Sequence, residues 1–304
     1  MLEKRIFLFL ALLTITNADE RLRFIFYQEP TKTVEYNFNT FHNILTDPYF
    51  NRNLHTVLFH YGAGQNLNTP QVYDLVNSYA VNRNFNYVVI HYLNPDTTVA
   101  TSNVNELAEG IATALIGIFD RGYSSGYMDL LGFALGAQIQ ARASRRVQAR
   151  TNHRHVIGRL TGLDPWALGP INSITIGSLS SADAQWVESI HTEGSQRGDL
   201  ESNGHVSFFV NGGIAQPMCN QALPTARWDC SHVFALSVWA ESVRAYSPVF
   251  PSLQCSTWEQ FIAGACNNNN LAHMGRLNSE SILRGRFFLT TNMQAPWSRN
   301  QAQP

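Results

Sequence analysis

The sequence predicts an α/β fold, a doubly wound and mostly parallel sheet with helices on both faces. Two observations carry that expectation. β-rich runs alternate with helical stretches along the chain, and the runs are almost continuously apolar, as strands covered on both faces are. Arg23–Tyr27 (RFIFY), Thr56–His60 (TVLFH) and Asn86–His91 (NYVVIH) are the first three strands. Between the second and third, Pro70 to Val81 places Val72, Leu75, Val76 and Tyr79 on one side at helical spacing. Asn103 to Phe119 is a stronger helix, with Leu107, Ile111, Ala114, Leu115 and Ile118 as its stripe. A strand at Tyr127–Leu131, a glycine-bounded turn, a helix at Leu135–Gln148 and a strand at Val156–Leu163 continue the alternation. Such βαβ units imply right-handed crossovers. No Pro/Ser/Gly-rich linker or internal repeat divides the chain, so one domain is expected over residues 19–304.

Composition narrows the partners. Of 304 residues, 44% are apolar and only 14% charged, against about 25% charged in an average soluble domain. Basic and acidic groups nearly cancel, 21 against 22. That balance offers no electrostatic case for nucleic acid or an anionic membrane surface. The apolar content is too high for a disordered chain.

Met1–Ala18 (MLEKRIFLFLALLTITNA) starts basic, continues through an apolar run from Ile6 to Ile15, and ends on a small residue. That is the pattern of a secretory signal peptide. The run is shorter than the roughly 20 apolar residues a bilayer core requires, and polar residues interrupt every later apolar stretch, so no integral membrane segment is expected. An exported, extracellular chain meets an oxidising environment, and its four cysteines are read first as disulfides. Three connectivities exist. The economical one pairs Cys219 with Cys230 and Cys255 with Cys266, each eleven positions apart. Zinc is the rival, but no CxxC or His-rich spacing supports it. No N-x-Ser/Thr sequon is present.

The apolar strand ending in Leu131 runs straight into Gly132-Phe133-Ala134-Leu135-Gly136 and then a helix. In a G-x-S-x-G elbow, glycines let strand and helix pass closely while the central hydroxyl stands exposed at the carboxyl end of the sheet. Both glycines are in register here, and the central residue is alanine.

From this turn onward the chain resembles the pancreatic-lipase-like family, which includes triacylglycerol lipases, phospholipases A1 and insect yolk proteins. Ile157–Pro165 (IGRLTGLDP) is similar to the stretch carrying the family's catalytic acid, which implies that role for Asp164. Asp183–Gly194 resembles the following strand and turn, and Gly204–Cys219 the segment leading to the lid cysteine. Cys230-Ser231-His232 matches the segment holding the catalytic histidine, and Gly285–Ser298 resembles the closing strands. The resemblance is strong over Tyr127 to Ser298 and loose before it. It implies an α/β-hydrolase fold and a triad at Ala134, Asp164 and His232, in the hydrolase order of nucleophile, acid, base.

Departures from the pattern matter as much. An alanine methyl cannot attack a carbonyl, so no acyl-enzyme forms at position 134. By resemblance the oxyanion donors would be Leu135, after the elbow, and Tyr61, which stands where the family has glycine in its His-Gly-aromatic loop. The next strand, which ends in Asp-Trp in the family, ends here in His91-Tyr92. The family's calcium loop finds no convincing counterpart at Ser178–Asp183, so no metal and no cofactor are expected. The ten residues between Cys219 and Cys230 form a short lid, in which Trp228 and Leu223 rest on the groove or fill space under the loop. The family's appended β-sandwich domain is expected to be missing after Pro304.

Each retained residue also has a purely structural reading. Asp164 can cap a turn, and with His232 it can form a buried pair tying two strand ends together. His60, His191 and His205 fit satisfied core or turn histidines. Ser231 and Ser181 are displaced-nucleophile candidates that spacing does not favour. The sequence therefore leads to a secreted lipase-like protein that has lost its nucleophile and acts by binding a lipid or ester, or as a yolk-like protein. The alternative is an active carboxylic-ester hydrolase, a triacylglycerol lipase or phospholipase A1, using another nucleophile.

Overall fold

A computed structural model describes residues 22–92, 101–166, 178–201, 203–220, 222–276 and 282–302; the expected signal peptide lies outside them. The strands are β1 (Leu22–Glu29), β2 (Lys32–Tyr36), β3 (Thr56–His60), β4 (Asn86–Tyr92), β5 (Met128–Phe133) and β6 (Arg159–Leu163). They continue with β7 (Trp186–His191), β8 (Val206–Val210), β9 (Pro251–Gln254), β10 (Leu271–His273) and β11 (Gly285–Leu289). The helices are α1 (Pro70–Ala80), α2 (Thr101–Phe119), α3 (Leu135–Arg150), α4 (Pro224–Arg244) and the short α5 (Trp258–Ile262). One sheet holds the described strands in the order β10-β9-β11-β8-β7-β6-β5-β3-β4-β1-β2. From β4 through β11 neighbouring strands are parallel, and antiparallel strands close both ends.

Alternation along the strands explains the continuous apolar runs. Leu58, Val88, Ile90, Leu130 and Leu160 point to a core shared with α2 and α3. Val57, Phe59, Val89, Leu131, Phe133 and Leu163 point to an opposite core shared with α1 and α4. With both faces dry, a strand has no position to give to a polar residue except at a special site.

Several boundaries differ from the sequence reading. Of the expected strand from Val156, only Arg159–Leu163 pairs, and of Gly285–Ser298 only Gly285–Leu289 is strand. Ser231 and His232 lie on α4 rather than at a strand end, so the tie between two strand ends expected for His232 is a tie between a strand end and a helix. The disulfides follow the economical pairing, with Cα–Cα separations of 5.8 Å for Cys219–Cys230 and 5.7 Å for Cys255–Cys266.

Few charges exist, yet several are inside. Arg159 on β6 binds the Glu188 carboxylate on β7 through Nε at 3.0 Å, and Thr161 donates to the same oxygen at 2.8 Å. Arg276 pairs with Asp129 on β5 at 2.8 Å, and its carbonyl accepts from Arg159 at 3.0 Å. These pairs lie under α4, at the end of the sheet away from the elbow. Breaking a buried pair leaves an uncompensated charge in a poorly polarisable core, which costs far more than an exposed pair is worth. Glu188→Ala is expected to lower the unfolding free energy by about 3–5 kcal/mol, measured by urea denaturation against wild type.

Candidate active site

The sheet's order changes direction between β3 and β5, since β4 lies to one side of β3 and β5 to the other. Crevices at such a switch point, outside the carboxyl ends of the strands, are where open α/β sheets bind ligands. The elbow sits there. Ala134 joins β5 to α3 with φ +51° and ψ −122°, a conformation that an L-residue adopts only under constraint. Its N–H donates to the Leu163 carbonyl at 3.0 Å, tying the turn to β6. The flanking glycines are required by space. A Cβ on Gly132 would lie 2.4 Å from the Ala137 nitrogen, and one on Gly136 would lie 2.3 Å from the His60 carbonyl oxygen. Strand, helix and neighbouring strand cross at distances that admit no side chain.

Asp164 follows β6 at φ +42° and is fully buried. One carboxylate oxygen accepts the backbone N–H groups of Thr192 at 2.7 Å and Glu193 at 2.9 Å. The other faces His232 Nδ1 at 2.5 Å, so the imidazole donates there and keeps Nε2 for a second partner. The His232 ring lies against Phe133, the residue before Ala134, with centroids 4.6 Å apart. Burial pushes the Asp164 carboxyl up, and the hydrogen bond and charge of His232, with the two backbone donors, hold it back. An acid whose folded pKa is raised favours the fold most at low pH. That contribution is lost as pH rises above the ordinary carboxylate range, where the unfolded chain ionises first.

Gln216 is a positioning residue that the sequence does not announce. Its side-chain amide donates to Thr192 O at 2.8 Å and Val210 O at 2.9 Å, and its backbone N–H donates to Ser231 Oγ at 3.0 Å. One residue, through its side chain and its backbone N–H, thereby joins the acid turn, the end of β8 and the helix carrying His232. The same bond engages the Ser231 hydroxyl. Ser181 lies exposed on a short turn, Ser181–Asp183, where Arg145 Nε binds the Asp183 carboxylate at 2.6 Å.

Leu135 stands at the N-terminus of α3, directly after the elbow. The early loop is arranged differently from the expectation built on Tyr61. Gly62 is the residue against the elbow, where an added Cβ would come within 2.8 Å of Ala134 Cβ. Tyr61 is buried, and its hydroxyl bonds His91 Nδ1. Two residues read separately as departures from the family pattern are therefore partners. Of the remaining histidines, His205 Nδ1 accepts the Val187 N–H at 2.9 Å, and His191 bonds Ser189 Oγ at 2.8 Å. His60 does not fit the satisfied reading. Its Nδ1 is buried without a hydrogen-bond partner, and burial pushes its pKa down to about 4. Leu223 and Trp228, 76% and 40% exposed, fill no space under the lid, because the segment from Pro224 is already the first turns of α4. Arg197 in the acid-side loop pairs with Asp229 on that helix at 2.8 Å.

A family model described as Lipase matches residues 10–297. The chain belongs to the lipase family. It is 28% identical over 213 residues to phospholipase A1 member A of Rattus norvegicus, covering 65% of this chain and 45% of that protein. It is 29% identical to the hepatic triacylglycerol lipase of Oryctolagus cuniculus, covering 66% of this chain and 44% of that protein. The pancreatic triacylglycerol lipase of Mus musculus is also 29% identical, with 66% and 48% covered. The chain spans about half the length of the curated relatives it matches. Among solved structures, a phospholipase/carboxylesterase from Dyadobacter fermentans aligns with a TM-score of 0.31 at 13% identity, covering 61% of this chain and 77% of that one. The fold is that of the α/β-hydrolases, and among the described residues no helix is long and apolar enough to cross a membrane.

Removing the imidazole takes away the largest influence holding the Asp164 carboxyl down. In His232→Ala the carboxyl is expected to titrate at higher pH than in wild type, followed by carboxyl-carbon NMR with the Asp164→Asn variant for assignment.

Proposed function

We propose that this lipase-family protein is a secreted pseudoenzyme that binds a lipid or ester ligand in its groove and does not hydrolyse it. The observation that carries the reading is Ala134 at the elbow, beside an Asp164–His232 pair that is otherwise intact. In the complete arrangement, histidine takes the nucleophile's proton and aspartate holds its tautomer. With a methyl group in place of the hydroxyl there is nothing to deprotonate and no covalent intermediate to form. Hydrolysis would require another nucleophile, and the nearest in sequence to His232, Ser231, has its hydroxyl engaged by Gln216.

Secretion is supported by the leader-like start of the chain and by the two disulfides. A yolk-like secreted role fits the same features. The oxyanion donors in this reading are the backbone N–H groups of Leu135 and of the Tyr61–Gly62 loop. No metal or cofactor takes part.

Incubation with a fluorophosphonate probe and a short-chain p-nitrophenyl ester tests the reading. Wild type is expected to match a heat-killed control in both, and covalent labelling above that control would refute it. Ala134→Ser is expected to gain labelling through His232. One poorly placed oxyanion donor costs about 10²–10³ in rate, so ester turnover by that variant is expected to stay well below that of an active lipase. Lipid extraction of the native protein, read by mass spectrometry, identifies any ligand carried in the groove.

A further inference from the structure

His232 keeps one ring nitrogen without a partner. Its Nδ1 is bonded to the Asp164 carboxylate at 2.5 Å, so the neutral imidazole presents Nε2 as an acceptor. The residue is only 8% exposed, and among the described residues no group is hydrogen-bonded to Nε2. In a complete triad a hydroxyl donates there, and Ala134 offers a methyl group instead. The elbow also presents the opposite kind of group. Leu135 opens α3, and the first N–H groups of a helix have no acceptor within it. The His232 ring lies against Phe133, 4.6 Å between centroids, so the unmet acceptor and the unmet donor belong to one corner. A ligand that satisfies both must bring a proton donor and an acceptor on neighbouring atoms.

We propose that this corner takes a long-chain free carboxylic acid, one oxygen accepting from the N–H of Leu135 and the other sharing a proton with His232 Nε2. This names the ligand class for the binding reading above and rests on it. An ester brings acceptors only and leaves Nε2 without a donor. An alcohol brings a donor, but its single oxygen must serve both sides. When the shared proton rests on the imidazole, the positive end of α3 favours the carboxylate, and Asp164 stabilises the imidazolium. An apolar tail has surface to follow. Trp228 lies one turn before His232 on the same face of α4 and is 40% exposed, and Leu223, just ahead of the helix, is 76% exposed.

The shared proton gives this ligand a signature of its own. Above the carboxylate range the acid is ionised in water, and above the histidine range the imidazole is neutral. Joining the two takes up one proton, so affinity falls as pH rises. The other charged groups nearby are engaged elsewhere. Glu193 is buried in the acid turn, and its carboxylate accepts the N–H groups of Ser195 at 3.0 Å and Arg197 at 2.6 Å. Arg197 pairs with Asp229 at 2.8 Å on the exposed start of α4. Asp199, farther along the same loop, accepts the Glu201 N–H at 2.7 Å. On the β3 side His60 is buried, and its pKa, pushed down to about 4, keeps it uncharged at neutral pH.

Dodecanoic acid, dodecanol and methyl dodecanoate are titrated into the wild-type protein by calorimetry at about pH 7.5 and about pH 8.5, both above the ordinary histidine value. At the lower pH the acid is expected to bind about tenfold tighter than the ester. It is expected to lose about tenfold in affinity at the higher pH, while the alcohol and the ester stay constant. Buffers of different ionisation enthalpy are expected to report about one proton taken up per acid bound. His232→Gln, which offers an N–H and a C=O but cannot take the proton, is expected to lose the pH dependence. Ala134→Ser, whose hydroxyl gives Nε2 a donor, is expected to bind the acid about tenfold more weakly. Equal affinity for acid and ester, acid binding that ignores pH, or a slope shared by the alcohol overturns the inference. If His232→Gln does not fold, the three ligands on wild type decide alone. Failure here leaves an unlabelled wild type, and with it the pseudoenzyme reading, standing; fluorophosphonate labelling refutes that reading whatever the acid does.

Discussion

The close crossing of β5, α3 and β3 is the constraint on which the rest of the site depends. At Gly132 and Gly136 the backbones approach to distances that exclude a Cβ, and the chain turns between them only by forcing position 134 to a positive φ. In a hydrolase that strain displays a nucleophile. Here it displays a methyl group, and the crossing is set by packing of the sheet against helices on both faces. An alanine at this turn keeps the strained conformation and offers no hydroxyl.

The Asp164–His232 pair is held in place for a related reason. Asp164 lies in the core with both carboxylate oxygens occupied, one by two backbone N–H groups and the other by His232. Gln216 binds the same turn to β8 and α4. Removing either member would strand a buried polar group, at a cost comparable to a large share of a domain's stability. The Asp164–His232 pair is thus a structural tie between a strand end and a helix.

The early loop has gone its own way. Where the family pattern has a glycine and an acid, this chain has Tyr61 and His91, and the two changes meet in one hydrogen bond. Each looks like decay when read alone along the chain. Together they form one contact that ties the residue before Gly62, itself packed on Ala134, to the end of β4.

Periodicity along the chain was enough to determine the alternating strands and helices, since dry faces demand apolar runs whatever their partners. The elbow was legible from two glycines in register and the disulfides from equal short spacings, whereas the meeting of Asp164 with His232 was implied only by the family resemblance. What sequence could not determine were relations between distant segments. Nothing local marks Gln216 as the joint of three elements, or places Arg159 and Glu188, 29 positions apart, in one buried ion pair. The same holds for the short antiparallel strands β2, β9 and β10, whose residues pair only because a sheet edge is already there, and for the helical state of the lid segment. Charge pairing, strand order and the meeting of Tyr61 with His91 depend on which backbones lie 5 Å apart across the sheet, about one strand spacing, and only the tertiary structure decides that.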